Sequence, residues 1–335
     1  MPHSERPIAA PAVSIGIPTY NGAQFLAECL DSILGQSFGD YEIMIVDDSS
    51  TDNTVAIAEG YAQKDSRVSV HLNATRLGLV GNFNRCIAIA RGKYLCIFGQ
   101  DDVMLPDNIG RKYEVLEAHP NVGFVHSNVF RIHDHGKVFA EHWEKKSTKN
   151  YVQDGSHVLS ELLTGQNQIC CPSVLMRKDC LTSLGPFEES LFFTCDWEMW
   201  MRFCVSYDVA CLGQPLVKFR RHSNTESKRV GGSRLELEQE LLAKQIMIAR
   251  LSDHRDPRPT EMTMARNALA SRALGIARKA FYQDDFDNFR QCLLFAIRLQ
   301  PKLLWQSDCL RLVARALLGR RLISVYRFVM STRAR

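Results

Sequence analysis

The 335-residue chain is 45% hydrophobic and 23% charged, with a formal net charge of +4, an ordinary globular composition. Its length allows two domains, or one large domain with an appendage, and so mild a charge makes no case for a nucleic-acid partner. Eleven cysteines, without a C-x-x-C pair and with Cys170 and Cys171 adjacent, fit reduced thiols in a cytosolic protein better than a bridged or zinc-bound framework.

No signal-peptide-like core precedes the first strand-like run, and no window of 18 apolar residues occurs, so the expectation is an intracellular chain without a membrane span. Val13–Ile17 (VSIGI) is a β-rich run stopped by Pro18, and Ala23–Gly35 repeats its apolar residues with helical spacing. Glu42–Val46 predicts a second buried strand, closed by Asp47-Asp48-Ser49-Ser50. Thr54–Gln63 reads as a helix, Val68–Leu72 as a strand, Val80–Ala90 as a helix and Tyr94–Phe98 as a fourth strand. This alternation implies βαβ units: an α/β, Rossmann-like, mostly parallel sheet with helices on both faces.

Beyond about residue 225 the character changes. Leu235–Arg250, Met262–Tyr282 and Asp287–Leu299 are helical with no strand between, and residues 273–301 look like one tetratricopeptide-type helix hairpin. From Arg298 onward nine basic residues face a single acid, Asp308. That tail is either an amphipathic helix packed on the protein or one lying on an anionic membrane surface. The expected organisation is a disordered segment over 1–11, an α/β domain over 12–228 and a helical region over 229–335.

Parallel sheets bind ligands at the carboxyl ends of their strands. Three polar sets fall there: Pro18-Thr19-Tyr20-Asn21, Asp47-Asp48 and Gln100-Asp101-Asp102. Asp47 and Asp48 either cap the following helix or accept from the N–H edge of a nucleotide base. No G-x-G-x-x-G follows the first strand, which excludes the dinucleotide fingerprint. Asp101 and Asp102 are not needed as caps, because Pro106-Asp107 can start the next helix. Two hard carboxylates there suit Mg²⁺ or Mn²⁺, its shell completed by a diphosphate. Asp196, ahead of Trp197 and Trp200, either caps the helix Trp197–Val205 or serves as a general base whose pKa is raised by burial; Glu198 is the reserve. Arg220, Arg221 and His222 end a strand as a solvated turn or as cations beside a leaving diphosphate. His126, His133 and His135 form no convincing metal set.

VSIGIPTYNGAQFLAECLDSILGQSFGDYEIMIVDDSSTDNT resembles the opening of the inverting family-2 glycosyltransferases of the GT-A fold, of the kind used in bacterial surface polysaccharide synthesis. With TRLGLVGNFNRCIAIARGKYLCIFGQDDVMLPD, CDWEMWMRF and FRRHSNTES, the resemblance runs over about residues 12–228. It implies metal-dependent, hexosyltransferase-type transfer from a nucleotide-sugar donor, UDP first among candidates, to a glycan or lipid-linked hydroxyl. It further implies that Pro18 and Tyr20 line the nucleotide pocket, that Asp48 contacts the base, and that Asp101 lies near the ribose and donor sugar. Asp102 and His222 would hold Mn²⁺ or Mg²⁺, Arg76 and Asn84 would touch the donor, Arg220 and Arg221 the diphosphate, and Asp196 would take the acceptor proton. Relatives often carry Asp-x-Asp-Asp where this chain has Gly99-Gln100-Asp101-Asp102, so the outer Asp is missing. A nucleotidyltransferase and a non-catalytic nucleotide-sugar-binding scaffold stay open as alternatives, although Pro18–Gly22 lacks the Gly-rich basic loop of the former. A cytoplasmic protein, at the inner face of the plasma membrane if the tail binds lipid, is the expected location.

Overall fold

β1 (Val13–Thr19) and β2 (Tyr41–Asp47) are apolar runs buried along nearly their whole length, paired in parallel from Val13 opposite Tyr41 to Thr19 opposite Asp47. Between them α1 (Leu26–Leu34) buries Leu26, Cys29, Leu30 and Ile33, the stripe expected of a helix on a sheet. The order continues α2 (Thr54–Ala62), β3 (Val68–Leu72), α3 (Gly78–Ile89) and β4 (Tyr94–Ile97). This computed structural model describes residues 10–141, 148–223, 225–252, 259–305 and 309–313. Most of the basic tail, from residue 314 on, and residues 1–9 of the expected disordered segment lie outside the described residues.

After β4 come β5 (Val103–Met104), α4 (Asn108–Ala118), β6 (Val122–Ile132), β7 (Val138–Glu141), β8 (Tyr151–Gln153), α5 (Gly155–Thr164), β9 (Leu175–Arg177), α6 (Lys178–Leu184), α7 (Cys195–Ser206) and β10 (Asp208–Arg220). The strands lie in the order β3-β2-β1-β4-β9-β6-β10-β5, with β7 on β6 and β8 on β10. β9 runs antiparallel to both β4 and β6, and β6 is parallel to β10. β1, β2, β3, β4, β6 and β10 therefore point one way, and β5, β7, β8 and β9 oppose them. The carboxyl ends of the long strands share one edge, which positions the site. On one face of the sheet Ile15, Ile43 and Val125 pack with Ile33 of α1 and Leu116 of α4. On the other, Phe124 meets Trp200 and Phe203 of α7 at 5.1 and 5.5 Å between ring centroids.

One expected cap is not made. Asp107, just before α4, is left-handed with φ 65° and does not cap the helix; its carboxylate accepts the Ser37 hydroxyl at 2.5 Å instead.

The described residues divide into two compact units between Arg229 and Val230, Leu163–Gly165 also belonging to the second. α8 (Glu226–Val230), α9 (Arg234–Ser252), α10 (Pro259–Tyr282) and α11 (Phe286–Leu299) complete the chain order. α10 and α11 form a hairpin closed by left-handed Asp284 and by Asp285, whose carboxylate caps α11 at the Asn288 amide. Small residues of α10 (Ala270, Ala273, Ala277) pack with Phe289, Cys292 and Ala296 of α11, which lets the helices approach closely. Within this unit buried Glu240 accepts from Lys244 at 2.8 Å and from Arg272. No described helix is long and apolar enough to cross a membrane.

Candidate active site

Directly after β1 and β2 stand two left-handed residues, Asn21 (φ 47°) and Ser49 (φ 65°), a conformation that concentrates at functional turns. The turns are laced together. The Asn21 amide donates to Ser50 Oγ at 2.8 Å and its side-chain oxygen accepts the Thr51 amide at 2.8 Å. Asp47 accepts the Ser50 amide at 2.9 Å and the Thr19 hydroxyl at 3.1 Å. Neither Asp47 nor Asp48 caps α2, whose capping position is Asn53.

Asp48 is 3% exposed and accepts from the amides of Leu77 (2.6 Å) and Gly78 (2.8 Å) and from Asn73 Nδ2 (2.8 Å). It thereby holds the 73–78 loop against the end of β2. That loop lays the Arg76 guanidinium over the Tyr20 ring, 3.8 Å from its centroid. Pro18 is half-buried at the end of β1 opposite Val46. Tyr20, Arg76 and Asp48 are thus brought together at one edge, whereas Asn84 is not. Its carboxamide is spent on the backbone of Phe187, accepting at 2.7 Å and donating at 3.0 Å.

Gln100 is a residue whose role the sequence did not reveal. Its carboxamide accepts the Tyr20 amide and donates to the Tyr20 carbonyl, both at 3.1 Å, joining the β1 turn to the β4 turn. A Cβ at Gly22 would lie 2.0 Å from the Gln100 carbonyl oxygen, so glycine there makes room for the clamp. At Gly99, where relatives often carry the outer Asp, a Cβ would come within 2.6 Å of Asp102 Oδ2, so the Asp102 carboxylate as placed here packs against the glycine.

The two adjacent carboxylates face different surroundings. Asp102 is 2% exposed and accepts the Arg220 amide at 2.9 Å; burial and then the neighbouring Asp101 charge push its pKa well above the usual range. Asp101 is more open, and its Oδ2 lies 2.9 Å from His222 Nε2. The His222 ring rests against Phe25 at 4.9 Å. The resemblance pairs Asp102 with His222; the geometry pairs Asp101 with His222 and turns Asp102 inward. Arg220, 1% exposed, donates to the Asp101 carbonyl (2.7 Å), the Asp134 carbonyl (2.7 Å) and Glu28 Oε2 (2.6 Å). Its donors are consumed as a strut beneath the carboxylates rather than offered to a diphosphate. The Arg221 amide donates to the Ile132 carbonyl at 2.9 Å, and its guanidinium has no hydrogen-bond or ion-pair partner among the described residues.

Asp196 lies in the first turn of α7, half-buried. It accepts the Trp197 amide at 2.7 Å and Asn167 Nδ2 at 3.2 Å. Burial raises its pKa to about 6, against the lowering effect of those two donors. Glu198 is no substitute: it is fully buried and ion-paired with Arg202 at 2.8 Å.

Among the described residues no three His, Cys, Asp or Glu side chains converge on a closed metal cage. Asp101 and His222 nevertheless fit a cation of the Mg²⁺ or Mn²⁺ type. Their 2.9 Å separation matches neighbouring donors in an octahedral shell with bonds of about 2.1 Å, and such ions take few protein ligands beside water and phosphate.

The sheet order and the carboxylates along its edge define an α/β protein of the GT-A class. A model described as glycosyl transferase family 2 matches residues 14–180. A PGL/p-HBAD biosynthesis glycosyltransferase of Mycobacterium bovis is 30% identical over 215 residues, 64% of this chain and 74% of the relative. The fold is similar to Staphylococcus aureus TarS 1–349 (TM-score 0.61, 18% identity, 87% of this chain and 81% of that one), a protein also solved in complex with UDP-GlcNAc. It is similar as well to a mannosyltransferase from Pyrobaculum calidifontis in complex with GDP-Man and Mn²⁺ (TM-score 0.50, 19% identity, 90% and 89% covered). The chain belongs to glycosyl transferase family 2.

Proposed function

We propose that the chain transfers a sugar, with inversion at the anomeric carbon, from a nucleoside-diphosphate sugar to a hydroxyl of a glycan or lipid-linked acceptor. The observation that carries this reading is the gathering of Tyr20, Asp48, Asp101 and His222 on one edge of one sheet. Tyr20 and Arg76 offer a flat face on which a base stacks. Asp48, already fixing the loop that carries Arg76, sets the depth of that face. Asp101 and His222 are the residues that would hold Mn²⁺ or Mg²⁺, a cation that supplies charge neutralisation of the diphosphate. Arg221, whose guanidinium has no partner among the described residues, adds positive charge where the leaving group departs. Arg220 and Asp102 position these groups from behind.

Asp196 accepts the proton of the acceptor hydroxyl. The acceptor oxygen forms its bond to the anomeric carbon as the bond from that carbon to the diphosphate breaks, and the nucleoside diphosphate leaves with the electron pair. A carboxylate with a pKa of about 6 is ionised at neutral pH and a stronger base than an exposed one. Support for a nucleotide-sugar donor comes from the structural neighbours, solved with UDP-GlcNAc and with GDP-Man and Mn²⁺; they differ in base, so the donor is a matter for experiment. Incubating the protein with Mn²⁺ and UDP-, GDP- and dTDP-sugars should release one nucleoside diphosphate, and Asp101→Ala should abolish that release. Equal release by Asp101→Ala would refute the site.

A further inference from the structure

Away from the strand-end carboxylates, a cavity of about 40 Å³ lies in the first unit between β6, β8, β10 and α5, with Gln168 and Ile169 in its wall. It has room for roughly three waters at 10–15 Å³ each, or for the hydroxyl-bearing edge of one sugar ring. Its polar lining includes His126, Tyr151, Gln153, Glu161 and Gln168, with apolar Val158 beside them.

His126 is 9% exposed, and burial, with buried Lys112 adding to it, drives its pKa down to about 3, so the imidazole is neutral at physiological pH. A neutral imidazole offers one donor and one acceptor. Among the described residues neither ring nitrogen has a hydrogen-bond partner, and the Gln153 and Gln168 carboxamides have none either. Gln153 and Gln168 are half-buried, so their carboxamides are open to a ligand entering the cavity. Three unengaged neutral side chains beside an aromatic ring, with the Glu161 carboxylate as a further acceptor in the wall, form a lining that suits a polyhydroxy ligand rather than an anion.

The cavity is tied to the base through three consecutive residues. Asn167 donates to Asp196 Oδ2 at 3.2 Å and accepts the Ile169 amide at 3.0 Å, while the next two residues, Gln168 and Ile169, line the cavity. We infer that this cavity is a saccharide subsite, holding a neutral sugar of the acceptor through His126, Gln153 and Gln168 while the segment 167–169 keeps Asp196 in register with it. The inference rests on the transferase reading for the identity of its ligand, but not for the existence of the site.

The test uses the full-length chain and methyl glycosides of glucose, galactose, mannose and N-acetylglucosamine, each at about 50 mM, a concentration suited to weak fragment-sized ligands. Saturation-transfer NMR reads their binding; calorimetry with UDP, GDP and dTDP reads the nucleotide site separately. The expected result is contact with at least one glycoside, weakened about tenfold, one lost hydrogen-bonding partner's worth, in both His126→Phe and Gln168→Leu, with nucleotide affinity unchanged. Gln168 is partly exposed, so its variant folds even where His126→Phe does not, and thermal melting checks both. Undiminished glycoside contact in Gln168→Leu, or no contact by the wild type, overturns the subsite. Absence of nucleotide binding alone would sink the transferase reading and leave the saccharide site standing.

Discussion

The Gln100 carboxamide holds both backbone polar groups of Tyr20, each at 3.1 Å, so the turn that presents an aromatic face is locked to the turn that presents Asp101. Removing it should loosen the first without touching the second. Gln100→Ala is expected to weaken nucleotide binding by about tenfold, the cost of one to two hydrogen bonds at about 1 kcal/mol each. Maximal turnover at saturating donor should change less than threefold. Gln100→Glu, which cannot donate to the Tyr20 carbonyl, should behave like Gln100→Ala; Kd by calorimetry and kcat at saturation decide it.

In the proposed mechanism Asp196 works only when ionised. With its pKa raised to about 6, kcat/KM should fall tenfold per unit below about pH 6 and level off above it. Asn167 donates to the carboxylate and so lowers that pKa; Asn167→Ala should move the acid limb to higher pH. The same burial makes ionised Asp196 a stability cost. Because the folded-state pKa exceeds the unfolded value, stability is highest below about pH 4 and is lost as pH rises through 6. Asp196→Asn should therefore eliminate transfer yet unfold at higher temperature than the wild type at pH 7.5. The gain should be at most about 2–3 kcal/mol, the equivalent of about two pKa units.

Asp101 and Asp102 should prove unequal. Asp102 is turned inward with its pKa well raised, and Asp102→Asn keeps an oxygen for the Arg220 amide. That variant should retain most Mn²⁺-dependent nucleotide binding, whereas Asp101→Asn should lose it. Paired titrations with and without Mn²⁺ distinguish the two; equal losses would assign the cation to both carboxylates.

Lys112 is 1% exposed, its ammonium has no hydrogen-bond partner among the described residues, and burial lowers its pKa to about 8. A depressed lysine pKa means stability is fully present above the unfolded value near 10.4 and is lost as pH falls through 8. Lys112→Met should thus stabilise the fold at pH 7 by about 2–3 kcal/mol and do so less at pH 9.5, as read from denaturant midpoints.

How much of this was legible beforehand follows from range. β1 to β4 and their helices are long apolar repeats, and their periodicity placed them within a few residues. β9 was hidden, because three residues, Leu175–Arg177, carry no period and are inserted antiparallel by tertiary contacts. Carboxylates at strand ends stood out from topology alone. Their partners did not: Gln100 to Tyr20 spans 80 positions, Arg220 to Glu28 192, and no local pattern encodes such distances. Asn84 and Arg220 carry chemistry that suits a donor, yet folding spends their polar groups internally.

The central claim is that a nucleotide sits on the edge formed by Tyr20, Asp48 and Asp101 with a cation at Asp101 and His222. Titrating UDP, GDP and dTDP into the wild type and Asp101→Ala, each with and without Mn²⁺, tests it most directly. The account predicts one nucleotide whose affinity rises at least tenfold with Mn²⁺ in the wild type and not in the variant. Failure of every nucleotide to bind the wild type, with or without Mn²⁺, would contradict it.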